Sequence, residues 1–171
     1  MRSEPRHCNA VWLALVFLLP LTLSAQEDQA AADKLDDAAP LVLPAAPAQE
    51  NMLPFYVSPT TTMNFAIDAP SVSVTPDGVI RYTLVITSAE GARNVSHEGM
   101  RCKTGERKLY ATGSADGSWS ASRNLAWSPI RDVGANRQYA ALYKDYFCDS
   151  GSVAGKTAVI VKRIRQKKPL R

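Results

Sequence analysis

The sequence predicts an α+β fold: one domain on an antiparallel sheet, with helical segments toward the C-terminus. A mainly β chain is the alternative. Two observations carry this. Residues 79–88 put Ile80, Tyr82, Leu84 and Ile86 on one face and Arg81, Thr83 and Thr87 on the other, with Val85 the exception. That period of two marks a half-buried antiparallel strand. Over residues 136–148 the period changes. Tyr139, Leu142, Tyr143 and Tyr146 stand at i, i+3, i+4 and i+7, which is one face of a helix.

The other elements follow in order. The folded domain is expected to begin near Phe55, with a short strand at Phe65 and Ile67. Residues 71–75 alternate, with Val72 and Val74 on one face. Pro76-Asp77-Gly78 then supplies a turn, because proline presets the first corner and glycine accepts positive φ, so 71–88 reads as a hairpin. Glu90-Gly91 makes the next turn. Residues 94–102 read as a strand with Gly99 as a bulge, and 107–112 as another carrying Leu109 and Tyr110. Asp116-Gly117 turns the chain before Trp119. Residues 120–135, broken by Trp127, Pro129 and Gly134, read as loop. Asn136 is placed to cap the helix that follows, with a strand as the runner-up there. Residues 153–168 are read as helix from Ile160, Val161 and Ile164, against a strand over 158–161.

The start of the chain has a different character. Arg2 and Arg6 precede an uncharged apolar run, Pro20 breaks it, and Leu23-Ser24-Ala25 precedes Gln26. That order is the pattern of a secretory signal peptide over residues 1–25. The run is short for a membrane span, which needs about 20 residues; an uncleaved anchor is the competing reading. A lipoprotein would need a cysteine where Gln26 stands, so a soluble mature protein is expected, with no transmembrane span after signal removal. Residues 26–53 are Ala, Pro and acidic residues, with six Asp/Glu against one lysine. They read as a flexible acidic linker unable to bury enough apolar surface to offset its ordering entropy. The domain, 54–171, carries 17 Lys/Arg against nine Asp/Glu. Such a balance favours anionic partners: lipid head groups, lipopolysaccharide, cell-wall polymer or nucleic acid. Export makes an envelope component or an envelope protein the expected partner, and no nucleic acid is expected.

Cys8 falls within the signal segment, leaving Cys102 and Cys148. An even count in an exported chain reads as one disulfide. The competing reading is a metal pair. Two thiols are half of a four-ligand zinc site, and His97 is the only histidine outside the signal segment; no metal and no cofactor are expected.

No motif announces catalysis. His97 and Glu98 are the acid–base suspects, since histidine titrates near neutral pH, but His97 has no partner at motif spacing. G-x-S-x-G and H-E-x-x-H are both absent. The stretch from Gly151 to Thr157 imitates a phosphate loop, with three residues between its glycines where the motif has four. Asn94-Val95-Ser96 matches a glycosylation acceptor, relevant only in a eukaryotic secretory pathway. Trp119, Arg123, Trp127, Arg131 and Arg137 interleave aromatics with arginines, a composition suited to stacking on sugars, peptides or anionic polymers. Lys162, Arg163, Arg165, Lys167, Lys168 and Arg171 form a basic tail without an acidic residue.

Four stretches carry a resemblance. PDGVIRYTLVITSAEGARNVSHEGMRC, then GERKLYATGSADGSW, then Trp127-Ser128-Pro129-Ile130, then YAALYKDYFC resemble the bacterial CNP-one-like family over residues 64–151. The resemblance implies a small exported, envelope-associated protein without an assigned reaction or cofactor, so no residue roles carry over. Some relatives look like lipoproteins, whereas this chain lacks the acceptor cysteine. Cys102 and Cys148 lie in the family's two cysteine-bearing segments, which agrees with a bridge. The expected function is therefore non-enzymatic binding of an envelope component or partner protein. Trp119, Arg123, Trp127 and Arg131 are the candidate surface, and a cell-wall hydrolase or transferase with unidentified catalytic residues is the alternative.

Overall fold

A computed structural model describes residues 40–171. The signal peptide expected over 1–25, and the linker as far as residue 39, lie outside the described residues. The fold is α+β, as the two periodicities predict. Its main sheet is an antiparallel meander of β1 (Met52–Pro54), β2 (Asn64–Val74), β3 (Val79–Thr87), β4 (Arg93–Arg101), β5 (Glu106–Gly113) and β6 (Trp119–Ala121), in that order. A seventh strand, β7 (Ser128–Pro129), also pairs with β5. A small hairpin of β8 (Cys148–Asp149) and β9 (Ser152–Val153) stands apart.

The alternation in β3 works as expected on its inner face. Ile80, Tyr82 and Leu84 point into the core with Ile67 and Met100. A helical layer covers them, contributing Leu142, Phe147, Ile160 and Ile164. The rings of Tyr82 and Phe147 meet edge to face at 5.0 Å. β3 is more than half-buried, however: Arg81, Thr83 and Val85 on its outer face are buried too. Something therefore covers the back of the sheet.

The end of the segment read as a linker crosses part of that face. Residues 40–48 cross the outer face before a 3-10 turn at Gln49–Asn51 leads into β1. Arg81 Nη1 donates to Pro40 O at 3.1 Å, and Trp119 Nε1 donates to Pro44 O at 2.8 Å. Among the described residues, contact with the sheet thus reaches back to Pro40, N-terminal to the boundary expected at residue 54. Composition could not show this, because the segment has no period of its own and its anchors are 41 and 75 residues away.

The helix expected over 136–148 is present in two geometries. α1 (Arg137–Ala141) widens into a π-helical turn, Leu142–Phe147. Asn136 occupies the cap position, but its side chain makes no capping bond. The last segment divides into β9 and a helix, α2 (Thr157–Arg165), whose Ile160 and Ile164 are buried one turn apart. No helix among the described residues is long and apolar enough to cross a membrane.

Cys102 and Cys148 are joined by a disulfide, Cα to Cα 5.4 Å. It ties the chain just beyond β4 to the hairpin after the π-helical turn. The bulge expected at Gly99 lies instead in the facing strand. His97 pairs with Ala111 and Glu98 with Leu109, so Tyr110 is the extra residue. Gly99 stays in register. Its missing side chain leaves room for the Tyr110 ring, and a Cβ there would stand 2.6 Å from Tyr110 Oη. β2 has its own irregularity between Asp68 and Ser73, around Pro70, which cannot donate to a ladder.

Candidate functional site

Successive residues of a strand face opposite ways, so His97 and Glu98 are neighbours in sequence and strangers in space. They anchor two separate polar clusters, one on each side of the sheet.

Glu98 points inward and is 1 % exposed. Hydroxyl groups surround its carboxyl group. Ser96 Oγ donates to Oε1 at 2.7 Å, Tyr139 Oη to Oε1 at 3.2 Å, and Tyr82 Oη to Oε2 at 3.3 Å. Arg107 Nη1 stands 3.8 Å from Oε2, and its guanidinium lies 4.1 Å from the Tyr139 ring centre. Burial raises the Glu98 pKa above the usual carboxylate value, although the hydroxyl bonds and Arg107 pull the other way. The same burial, with the Glu98 charge second, pushes Tyr139 up to about 12. Strand spacing puts Ser96 beside Glu98, the β3 register brings Tyr82 opposite, and α1 lowers Tyr139 from above. The cluster is a satisfied buried carboxyl within the core.

His97 points outward and is 2 % exposed. Its Nδ1 lies 3.1 Å from Thr83 Oγ1. Its ring is 6.0 Å from Tyr110 and, edge-on, 6.0 Å from Trp119. Desolvation, with the nearby Arg81 charge second, lowers its pKa to about 4. The imidazole is therefore neutral at neutral pH and held by packing.

A band of aromatics and cations runs across this outer face. Arg81 lies 5.5 Å from the centre of the Tyr110 ring, and Lys108 Nζ is 5.7 Å from it. Lys108 Nζ is also 5.5 Å from the Trp127 ring, over which Arg101 stacks at 3.9 Å. Each contact draws a cation onto the negative face of a ring. The Tyr110 bulge makes the band possible by keeping that ring on the outer side.

Of the four residues proposed from sequence as a surface, Trp119 and Trp127 are half-buried at the two ends of this band, and Arg123 and Arg131 are exposed. The loop between β6 and α1 also exposes Leu125 and Val133. Beside Trp119 opens a cleft of about 370 Å³, lined by Ala46, Pro47, Arg93, Val95 and Gly113. In the basic tail, Arg163 has a structural task. Its Nη1 donates to Tyr146 O at 2.9 Å and its Nη2 to Ala154 O at 3.0 Å. Lys162, Arg165, Lys167, Lys168 and Arg171 are exposed. The phosphate-loop lookalike spans a two-residue strand, a Gly155 with φ of 121° and the start of α2. No nucleotide-binding sheet precedes it, since β9 belongs to the small hairpin. Among the described residues no three His, Cys, Asp or Glu are grouped to hold a metal.

Sequence reasoning missed Arg81, Lys108 and Tyr110 as members of the outer band, and Ser96, Tyr82 and Tyr139 as partners of Glu98. The one available signal was the polar face of β3, where Arg81, Thr83 and Thr87 alternate with apolar residues.

The profile of the CNP1-like family matches residues 32–165. The chain belongs to the CNP1-like family. It is also 31 % identical over 113 residues to "Cryptic neisserial protein 1" of Neisseria gonorrhoeae (strain ATCC 700825 / FA 1090), an alignment covering 59 % of this chain and 55 % of that protein. The chain thus spans about half the length of that relative. No solved structure matches the chain. Membership in the CNP1-like family brings no assigned reaction, so the two clusters must be judged on their own geometry. The family match begins before Pro40, so the segment crossing the outer face falls within it.

Proposed function

We propose that this member of the CNP1-like family is an exported, non-enzymatic binding protein of the bacterial envelope. It engages an anionic envelope component, or a partner protein presenting anionic groups, through the surface around Trp119, Arg123, Trp127 and Arg131. The observation that carries the reading is the Arg101–Trp127 stack at 3.9 Å. It fixes the root of a loop whose Arg123 and Arg131 are exposed, and a fixed cationic loop loses less entropy on binding than a mobile one. The exposed Leu125 and Val133 beside them suit an amphiphilic target over a purely ionic one. The Cys102–Cys148 bridge supports an oxidising compartment, and hence export by the segment 1–25 and a periplasmic location. The buried, hydrogen-bonded state of His97 and Glu98 argues for binding over catalysis, because neither group can reach a reacting atom.

The test is retention of the oxidised chain on vesicles containing anionic lipid or lipopolysaccharide, read against salt. Retention is expected to fall steeply with ionic strength. Changing Arg123 and Arg131 together to glutamine is expected to weaken it several-fold at low salt. Salt-independent retention, no effect of the double change, or a chemically altered envelope product at catalytic protein concentration would each overturn the reading.

A further inference from the structure

The segment that crosses the outer face is attached in an unusual way. Residues 40–48 lie over a sheet, yet among the described residues no main-chain hydrogen bond joins them to it. Among the described residues their anchors are two side-chain donors, Arg81 and Trp119, and both acceptors are carbonyls of prolines, Pro40 and Pro44. None of these nine residues is buried, and Leu41 and Val42 are exposed, the latter by 78 %. Beneath them Trp119 lines a cleft together with Ala46 and Pro47, and its ring is backed by His97. At the β5–β6 turn, Gly117 lets Ala46 approach closely, for a Cβ there would stand 3.3 Å from Ala46 Cβ.

This is the recognition chemistry of an extended proline-bearing peptide. Such peptides have few main-chain donors and present carbonyls at regular steps. They are read by aromatic grooves with indole or guanidinium donors, and their preset φ lowers the entropy lost on docking. Four residues of such a chain span about 12 Å, so two donors on strands β3 and β6 can each hold one carbonyl. A structural strap would be expected to add a strand to the sheet or bury an apolar side chain in the core. Residues 40–48 do neither, and weakly anchored, half-exposed segments open at low free energy.

We propose that the outer face between Arg81 and Trp119 is a receptor site for an extended, proline-bearing segment of a partner protein, and that residues 40–48 occupy it in cis as an autoinhibitory strap. The partner carries two prolines four residues apart, separated by uncharged residues. The strap acts as a tethered competitor, so the apparent affinity for the partner is reduced by the fraction of molecules in which the site is closed. The proposal shares Trp119 with the anionic-surface reading but does not depend on it, since that reading is tested at Arg123 and Arg131.

The test uses a fluorescent peptide of residues 39–51 of this chain, titrated into the full oxidised chain. Two opened forms are compared with it. One carries Pro40→Gly with Pro44→Gly, which raises the entropy lost when the strap docks. The other is cut at a protease site inserted between Ala45 and Ala46, both exposed, and so does not rely on the substituted strap folding. Binding is expected to be at least tenfold tighter to either opened form than to the intact chain. Adding Trp119→Phe to an opened form, which keeps a ring and removes the donor, is expected to weaken binding at least fivefold. Equal affinity for intact and opened chains, or no effect of Trp119→Phe, would overturn the proposal. A concentration-dependent dimer of the intact chain with exchanged straps would overturn it in favour of self-assembly.

Discussion

At the scale of single residues, His97 and Glu98 show how one peptide step separates two electrostatic environments. Both are buried, and their pKa values move in opposite directions. For His97 the ordinary value is 6.5 and the folded value about 4. Its contribution to stability is present above pH 6.5 and is lost as pH falls from there toward 4, to a total of about 3 kcal/mol. For Glu98 the folded value lies above the ordinary 4.5. Its contribution is present below pH 4.5 and is lost as pH rises through the folded value. Urea unfolding between pH 4 and 7 separates the two. His97→Gln is expected to flatten the acid loss of stability, and Glu98→Gln to gain stability relative to the parent as pH rises. Parallel pH curves for parent and variants would contradict both assignments. The sequence displayed both residues as acid–base suspects but could not show their burial, which comes from elements distant in the chain.

At the scale of elements, the strands were legible where turn chemistry and alternation agreed. Pro76-Asp77-Gly78 and the alternation of β3 located the central hairpin, and the spacing from Tyr139 to Tyr146 located a helical segment. The bulge was not legible, because a glycine in a strand signals either a bulge or a close approach. Gly99 serves the second purpose. Gly99→Ala is expected to cost about 2 kcal/mol, because the added carbon would stand 2.6 Å from Tyr110 Oη. The same change would push Tyr110 away from His97 and Arg81, so near-ultraviolet circular dichroism should register it together with the unfolding midpoint. The widening of α1 into a π-helical turn was also beyond the sequence, since the 3.6-residue pattern of aromatics is compatible with either geometry over so short a run.

At the scale of the whole molecule, the Cys102–Cys148 bridge closes a separation of 46 residues. It holds the end of β4 to the hairpin that carries the helical layer. On the chain-entropy account, reducing it is expected to cost about 4 kcal/mol. Urea midpoints with and without reductant should differ accordingly, and a shift near zero would mean that the unfolded chain is already compact there. The charge asymmetry also acts at this scale. Basic residues dominate the domain, yet Arg81, Lys108 and Arg163 have folded-state contacts with rings or carbonyls. Net charge therefore overstates the cationic surface offered to a partner. The proposed binding surface relies on Arg123 and Arg131, which are exposed.

The sequence by itself determined the α+β class, the order of the central strands, the helical segment after residue 136, the pairing of the two cysteines and the family resemblance. Each rests on a local period, a turn residue or a count. Tertiary structure alone decided which polar residues are buried, where the bulge falls and that residues 40–48 cross the sheet. Those features depend on partners tens of residues apart: Tyr82 and Tyr139 converging on Glu98, and Arg81 and Trp119 reaching the carbonyls of Pro40 and Pro44. A segment without internal periodicity becomes ordered only when distant donors hold it. That is why residues 40–48 read as part of a tether in the sequence and lie across the sheet in the fold.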